Sequence, residues 1–291
     1  MGKIIDGQAL AEKIKDNIVK EILELNNKKP DCPHRPNLAI ILVGDREDSR
    51  LYVSLKEREA KKVVIDTHIY RCPEKTKEKE ILEIIECLNK DELIDGILIQ
   101  LPLPKGFNTD KIIKAINPAK DVDCFHPENL KVTMESCQSN HILSPVFAAI
   151  LEMLESINCQ LKEKKICIIA NSDIFGKNLA KVLECHGAKI KITKAADNNL
   201  ADETTRADIL ITAVGKPKFI KKEMVKEEAI IIDIGITKED KKICGDVDLA
   251  EVKDKAGYIT PVPGGVGPLT IAMLFKNTLE LYKRRRNIKN L

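Results

Sequence analysis

Leu38-Ala-Ile-Ile-Leu-Val43 is an unbroken aliphatic run closed by Gly44. A strand with one solvated face alternates apolar and polar side chains. A continuous run ended by glycine reads instead as a strand buried on both faces. Asp95-Gly-Ile-Leu-Ile-Gln100 repeats the pattern and is stopped by Leu101-Pro-Leu-Pro104. Between them, Val63 to Tyr70 reads as another strand. Helical periodicity fills the gaps, from Asp48 to about Lys62 and over Thr76–Asn89, where Ile81, Ile84, Ile85 and Leu88 face inward. Strand–helix–strand–helix–strand implies a parallel sheet covered on both sides. Upstream, Leu10, Ile14, Ile18, Ile22 and Leu25 mark an amphipathic helix beginning at Gly7, and Asn26 to Pro36 reads as a polar loop.

Downstream, a helix is expected near Thr109–Ile116, and a further one over Ser144–Ile157 that links two domains. A second α/β pattern then begins. Lys164–Ala170 reads as a strand, Ile174–His186 as a helix and Lys189–Thr193 as a strand. Ile209–Val214 and Ile230–Ile234 are strands each followed by glycine, and Tyr258–Thr260 is a short last strand. Thr260-Pro-Val-Pro-Gly-Gly-Val-Gly-Pro-Leu-Thr270 follows, and a terminal helix runs from Leu269 to about Lys283. Proline fixes φ, whereas glycine opens backbone regions closed to other residues. Alternating them gives either a rigid connector or a wall of a binding site built from main chain.

With 43% hydrophobic and 32% charged residues over 291 positions, the chain falls among soluble globular proteins able to bury a large core. Aromatic residues make up 3%, so aliphatic packing must build that core. A net charge of +3 is too near balance for a nucleic-acid footprint. The one basic cluster, Lys283-Arg-Arg-Arg286 with Lys289, is expected to be solvated and to favour the dipole at the end of the last helix. The nine cysteines are odd in number and form no C-x-x-C pair. With no signal-like N-terminus and no long apolar run, they read as reduced thiols of a cytoplasmic protein that does not enter a membrane. The histidines lack metal-ligand spacing, and no metal is expected.

Candidate chemistry gathers at the ends of these elements. Tyr52 and Lys56 stand one helical turn apart, with Ser49 one turn earlier, so all three share a face. A tyrosine ring stacks on flat ligands, and a desolvated lysine serves as a base; an ordinary exposed face is the other reading. Gln100 ends a strand, where ligands of open parallel sheets collect, although an amide capping a turn would look the same. Lys120-Asp-Val-Asp123 puts two carboxylates on alternate, opposite-facing positions, either for ligand recognition or for an Asx-type turn. Ala170-Asn-Ser-Asp-Ile-Phe-Gly176 joins a strand to a helix as a nucleotide-phosphate turn does, but lacks G-x-G-x-x-G.

Val43-Gly44 with Ser49, Tyr52 and Lys56, then Gln100-Leu-Pro-Leu-Pro104, Lys120-Asp-Val-Asp123 and Thr260–Thr270 occur in one order. Together they resemble the bifunctional methylenetetrahydrofolate dehydrogenase/methenyltetrahydrofolate cyclohydrolase family, from about Ile5 to Tyr282. The motifs around Gln100 and Pro263 are the most specific. The resemblance implies an α/β fold with two domains around a cleft. A catalytic, folate-binding domain over 1–143 would be completed by the last helix, 269–291, and a Rossmann-like NAD(P)-binding domain would span 144–268. It implies oxidation of 5,10-methylenetetrahydrofolate with NADP, then hydrolysis to 10-formyltetrahydrofolate, in a cytoplasmic homodimer serving one-carbon metabolism and purine biosynthesis. By match of position, Lys56 is the catalytic lysine, Tyr52 the stacking partner, Gln100 the residue that tunes Lys56 and Asp123 the pterin carboxylate. Ser49, Tyr52, Pro263, Gly264 and Gly265 fall on the substrate side. Ala170, Asn171, Ser172, Gly176, Lys194, Ala195, Gly215, Ile236 and Thr270 fall on the cofactor side.

Departures from the family pattern cluster on the cofactor side. Asn171 stands where an arginine is usual, Asn178 where a proline is, and Lys194-Ala195 where His-Ser is common. A neutral Asn does not replace a charge-assisted contact to the 2′-phosphate of NADP, though Lys194 compensates in part. Asp197 would repel that phosphate if it faced it. An NAD-using variant, or a cyclohydrolase alone, therefore stays open as the alternative. Nearer the folate, Cys124 replaces a usual glycine, and a Cβ there is costly if the position has positive φ.

Overall fold

The computed structural model describes residues 2–28, 35–135, 137, 141–239 and 242–288. Part of the loop expected over Asn26–Pro36, together with Cys32 and Lys289, lies outside the described residues. In chain order the elements of the first half are β1 (Lys3–Ile4), α1 (Gly7–Lys28), β2 (Asn37–Val43), α2 (Glu47–Lys62), β3 (Asp66–Cys72), α3 (Glu78–Lys90), β4 (Gly96–Ile99), α4 (Thr109–Ala115), α5 (Pro127–Glu135) and α6 (Pro145–Ser156). The second half contains β5 (Lys165–Ala170), α7 (Asp173–Cys185), β6 (Lys189–Thr193), α8 (Leu200–Thr204), β7 (Ile209–Ala213), β8 (Ile230–Asp233), β9 (Thr237–Glu239), β10 (Lys242–Cys244), α9 (Leu249–Val252), β11 (Tyr258–Ile259) and α10 (Val266–Arg285). They form two compact units. One comprises Met1–Ala11, Thr133–Ser139 and Val146–Thr270, the other Glu12–Val132, Asn140–Pro145 and Ile271–Leu291.

In the second of these units, β2 lies between β3 and β4, with both pairings parallel. Every residue from Leu38 to Val43 is buried, which is why the run carries no polar side chain. One side of this sheet packs Ala39, Ile41, Ile97 and Ile99 against Ile81, Ile85 and Ile112 of α3 and α4. The strand expected from Val63 begins only at Asp66. Val63 and Ile65 are buried, but their N–H groups return to Ala60 O, and Val64 takes φ 60 to close α2.

The basic end of α10 is not the solvated cluster its charge suggests. Lys283 is buried and binds Glu21 (2.7 Å) and Glu280 (2.9 Å). Arg285 and Arg286 both pair with Asp95, which is fully buried and also accepts from Asn37 N at 2.9 Å. The cations neutralise a buried carboxylate, a stronger demand than a helix dipole makes. Higher on the same helix, Asn277 Nδ2 donates to Val122 O and Leu143 O, both at 2.9 Å.

The other unit is built on a parallel sheet in the order β1-β11-β8-β7-β5-β6. The strands expected from β5 to β11 all fall in it. β1, too short to carry a pattern, pairs with β11 through Lys3↔Tyr258 and Ile4↔Ile259. The hairpin β9–β10 and the short helices α5, α8 and α9 also escaped the periodicity reading. α10 begins at Val266 rather than Leu269. Gly267 and Pro268 are no obstacle there, because first-turn N–H groups have no intrahelical partner for proline to remove.

The expectation that all cysteines are reduced needs correction. Cys137 and Cys185, at the end of α7, form a disulfide with Cα atoms 5.2 Å apart. A pair 48 residues apart in sequence leaves no local spacing signal. Cys72, Cys87, Cys124, Cys159, Cys167 and Cys244 are free thiols.

Candidate active site

α2 carries Ser49, Tyr52 and Lys56 on one face, as their spacing requires. Ser49 is buried, and Tyr52 and Lys56 are half-buried. Lys56 Nζ donates to Gln100 Oε1 at 2.8 Å. Gln100 follows β4, where its N–H donates to Ile41 O (2.9 Å), and its Nε2 donates to Leu101 O (2.8 Å). Both ends of the amide are thus fixed, with the oxygen presented to the lysine. Burial lowers the Lys56 pKa, and the negative charge of Asp123 works against that shift. Burial likewise raises Asp123, to about 7, against the pull of Lys56 and with a further push from Asp121. Burial first, then Asp48, pushes the Tyr52 hydroxyl up, so its ring stays neutral. Lys56 and Asp123 thus form a desolvated acid–base pair in which burial weakens the charge of both, beside a tyrosine that stays neutral.

The Lys120-Asp-Val-Asp123 segment divides its labour. Lys120 Nζ donates to Leu88 O (2.7 Å) and Asp91 O (2.6 Å), closing the end of α3. Burial, then the charge of Arg285, brings its pKa down to about 8. Asp121 Oδ2 accepts from His126 N (2.7 Å) and Asn129 Nδ2 (2.9 Å), so it holds its own turn. Asp121 thus has a structural role, although it bonds five and eight residues ahead rather than closing an Asx turn, and Asp123 is left to interact with Lys56. Asp121 and Asp123 both border one small cavity, with Ile97, Ile99 and Phe125.

Cys124 has φ 57, the left-handed conformation in which a Cβ is strained. Its thiol is buried and donates to Asp121 O at 3.8 Å. Burial, together with Asp121 and Asp123, pushes that thiol well above its ordinary pKa, which makes it a poor nucleophile.

In the other unit, Ala170 ends β5, and Ser172 caps α7 by accepting from Phe175 N at 3.3 Å. Asn171 Nδ2 donates to Val214 O at 3.0 Å, tying the ends of β5 and β7 together. Gly176 lets the helix approach the sheet, since a Cβ there would stand 3.2 Å from Ile192 Cγ2. Asn178 donates to Ile174 O (2.8 Å). Lys194, just beyond β6, pairs with Asp173 at 3.1 Å on an exposed surface. Asp197 turns back to accept from Thr193 Oγ1 (2.8 Å) and Lys194 N (2.9 Å), which fixes the direction the sequence left open. Ala195 packs against the core cluster of this unit. Gly215 follows β7 with φ 69 and open space around it, and Ile236 is exposed beyond β8. Thr270 Oγ1 donates to Val266 O (2.9 Å) within α10.

Pro263 follows a cis peptide bond, and Gly264 has φ 100. Gly264 O accepts from Gln8 N at 3.0 Å, and a Cβ on Gly265 would overlap Pro261 O. The Pro-Gly loop is therefore pinned to the first turn of α1 in the same unit. The ion pair of Lys194 with Asp173 was missed in the sequence because its partners belong to different elements. Among the described residues no cluster of His, Cys, Asp or Glu is placed to hold a metal ion, and no helix is long and apolar enough to cross a membrane.

The sequence matches the tetrahydrofolate dehydrogenase/cyclohydrolase family in both of its parts, the catalytic domain over residues 5–123 and the NAD(P)-binding domain over residues 145–286. A bifunctional protein FolD of Nitratiruptor sp. is 45% identical, with 98% of this chain and 99% of that protein covered. The crystal structure of the bifunctional FolD methylenetetrahydrofolate dehydrogenase/cyclohydrolase of Campylobacter jejuni superposes with a TM-score of 0.93 at 37% identity, covering 98% of this chain and 100% of the other. The Trypanosoma brucei FolD, crystallised with NADP and an inhibitor, gives 0.92 at 31% identity, with 97% and 98% covered. With the Lys56–Gln100 pair at the end of a parallel sheet and a dinucleotide-type turn after β5, this chain belongs to the tetrahydrofolate dehydrogenase/cyclohydrolase family.

Proposed function

We propose that this chain oxidises 5,10-methylenetetrahydrofolate to 5,10-methenyltetrahydrofolate with NADP and then hydrolyses the product to 10-formyltetrahydrofolate. The single observation that carries the reading is the half-buried Lys56, bonded to Gln100 and coupled to Asp123. Hydrolysis of the methenyl cation needs an acceptor for a proton of the attacking water. A lysine with a depressed pKa is that acceptor. Gln100 orients the amine, Asp123 binds the amino-pyrimidine edge of the pterin, and Tyr52 stacks on its ring. Ser49, Pro263, Gly264 and Gly265 complete the folate side.

The dinucleotide accepts a hydride when bound. The residues after β5 suit it, because Ser172 opens a helix at the carboxyl end of the sheet and Gly176 keeps that helix close. Ala170, Asn171, Gly215, Ile236 and Thr270 would border it on the same unit, with Ala195 behind them. Asn171 donates its amide to Val214 O, so Lys194 is the cation for a 2′-phosphate, exchanging Asp173 for that anion. The division into a folate unit, 1–143 with 269–291, and a dinucleotide unit, 144–268, belongs to the same proposal, except that residues 1–11, whose β1 pairs with β11, and 133–139 group with the dinucleotide unit. So does a cytoplasmic homodimer supplying formyl groups to purine synthesis.

The test supplies purified protein with 5,10-methylenetetrahydrofolate and NADP or NAD, following reduced nicotinamide and methenyl absorbance, and separately with methenyl substrate. Turnover with NADP, and loss of roughly 10²–10⁴-fold of the hydrolysis in Lys56→Ala, is expected. Undiminished hydrolysis in Lys56→Ala would sink the mechanism, and turnover with NAD alone would overturn the role given to Lys194.

A further inference from the structure

Two buried carboxylates lie outside the chemistry above. Asp233 ends β8, and Asp246 follows β10; neither is more than 3% exposed. They are linked in series through the backbone. Asp233 Oδ1 accepts from Gly235 N (2.9 Å) and Asp246 N (3.0 Å), and its Oδ2 accepts from Val247 N (2.8 Å). Asp246 in turn accepts from Thr212 Oγ1 (2.9 Å) and Val214 N (2.7 Å) on Oδ2, and from Lys216 N (2.8 Å) on Oδ1. The N–H of Asp233 donates to Thr260 Oγ1 at 2.8 Å, joining the start of the Pro-Gly loop to the same network.

Two glycines make room for it. A Cβ on Gly235 would overlap the Asp246 carboxylate, and one on Gly245 would overlap Asp233 Oδ2. Each carboxylate therefore occupies the space a side chain would fill in the segment facing it. Burying two acids in one network is unfavourable unless their oxygens are satisfied, and each here accepts three hydrogen bonds. The donors fixed this way flank Gly215 and precede Ile236, the two loop positions at the carboxyl ends of β7 and β8. Val214 is fixed twice, since its carbonyl also receives the Asn171 amide.

We propose that Asp246, held in place by Asp233, is a positioning residue for the dinucleotide, setting the path of residues 214–216. It touches no reacting atom itself; it acts through backbone N–H groups on the loop that meets the cofactor. This inference rests on the proposed dehydrogenase–cyclohydrolase function, and the second activity supplies an internal control. Hydrolysis of methenyl substrate uses no dinucleotide and draws on Lys56 and Gln100 of the other unit, so a displaced 214–216 loop affects hydride transfer alone.

The experiment measures both activities in Asp246→Asn, whose amide nitrogen cannot accept from an N–H group. The expected result is a KM for NADP raised by about ten-fold or more, as a misplaced binding loop gives. Hydrolysis of supplied methenyltetrahydrofolate should stay within about two-fold of wild type, the scale of a change that leaves its residues in place. Thr212→Val removes one donor with little change of shape and should shift the NADP KM in the same direction by less. It also keeps the test usable if Asp246→Asn folds poorly. Parallel loss of both activities in Thr212→Val, or an unchanged NADP KM in every variant that folds, overturns the proposal. Absence of hydride transfer in the wild type would instead defeat the functional reading on which it rests.

Discussion

Two opposing effects set the proton affinity of the Lys56 ammonium. Burial favours the neutral amine, and the Asp123 carboxylate favours the cation. The balance makes the amine available nearer neutral pH than that of an exposed lysine. Since hydrolysis requires the neutral form, its rate should rise with pH and level off below the usual lysine range. Asp123→Asn removes the charge that raises the Lys56 pKa, so the rising limb should move toward lower pH even as weaker substrate binding lowers the rate. The displacement should be largest above about pH 7, where Asp123 carries its charge in the parent. A pH profile of kcat for hydrolysis in the two proteins decides the matter, and a limb moved to higher pH would contradict the assignment. Lys56 and Tyr52 could be paired from sequence because one helix fixes their spacing. The bond from Lys56 to Gln100 has no spacing signal, because it joins residues 44 apart through sheet geometry, and only the family resemblance pointed to it.

At the scale of elements, legibility followed length and burial. β2 and β4 were readable because both faces are covered, which forces a run of aliphatic residues. β1 has two residues, and the β9–β10 pair has three on each side, too few for any period to register. The Pro-Gly loop shows a further limit. Its rigidity was evident from composition, but not that it is clamped to α1. Gly7 has no Cβ because one would overlap Gly265 O and lie 2.8 Å from Met153 Cε. The obstruction is backbone on one side, so rotamer changes cannot relieve it. Gly7→Ala should destabilise the protein by about 1–3 kcal/mol, the usual range for overpacking, even though alanine has the higher helix propensity. Chemical denaturation reads this directly. A stability equal to or above the parent would show that the loop yields and that the contact does not fix it.

Across the whole molecule, composition was informative about class and poor about pairing. The near balance of charge concealed how the cations are used, since Arg285 and Arg286 face a buried Asp95 that lies 190 and 191 residues earlier in the chain. The cysteines present the same problem. Parity and local spacing gave no reason to join Cys137 to Cys185, yet the bond closes a span of 48 residues that contains α6, β5 and most of α7. Closing a loop of that length restricts the unfolded chain and stabilises the native state by about 4 kcal/mol in the chain-entropy picture. Wild-type protein kept under oxidising conditions should therefore unfold at a higher urea midpoint than the same protein with reductant. Cys137→Ser/Cys185→Ser should show one midpoint in both conditions, matching the reduced parent. Thiol titration of the unfolded, oxidised parent should find two fewer thiols than its nine cysteines. Nine titratable thiols, with identical midpoints in both conditions, would return the pair to the reduced state that its sequence spacing suggests.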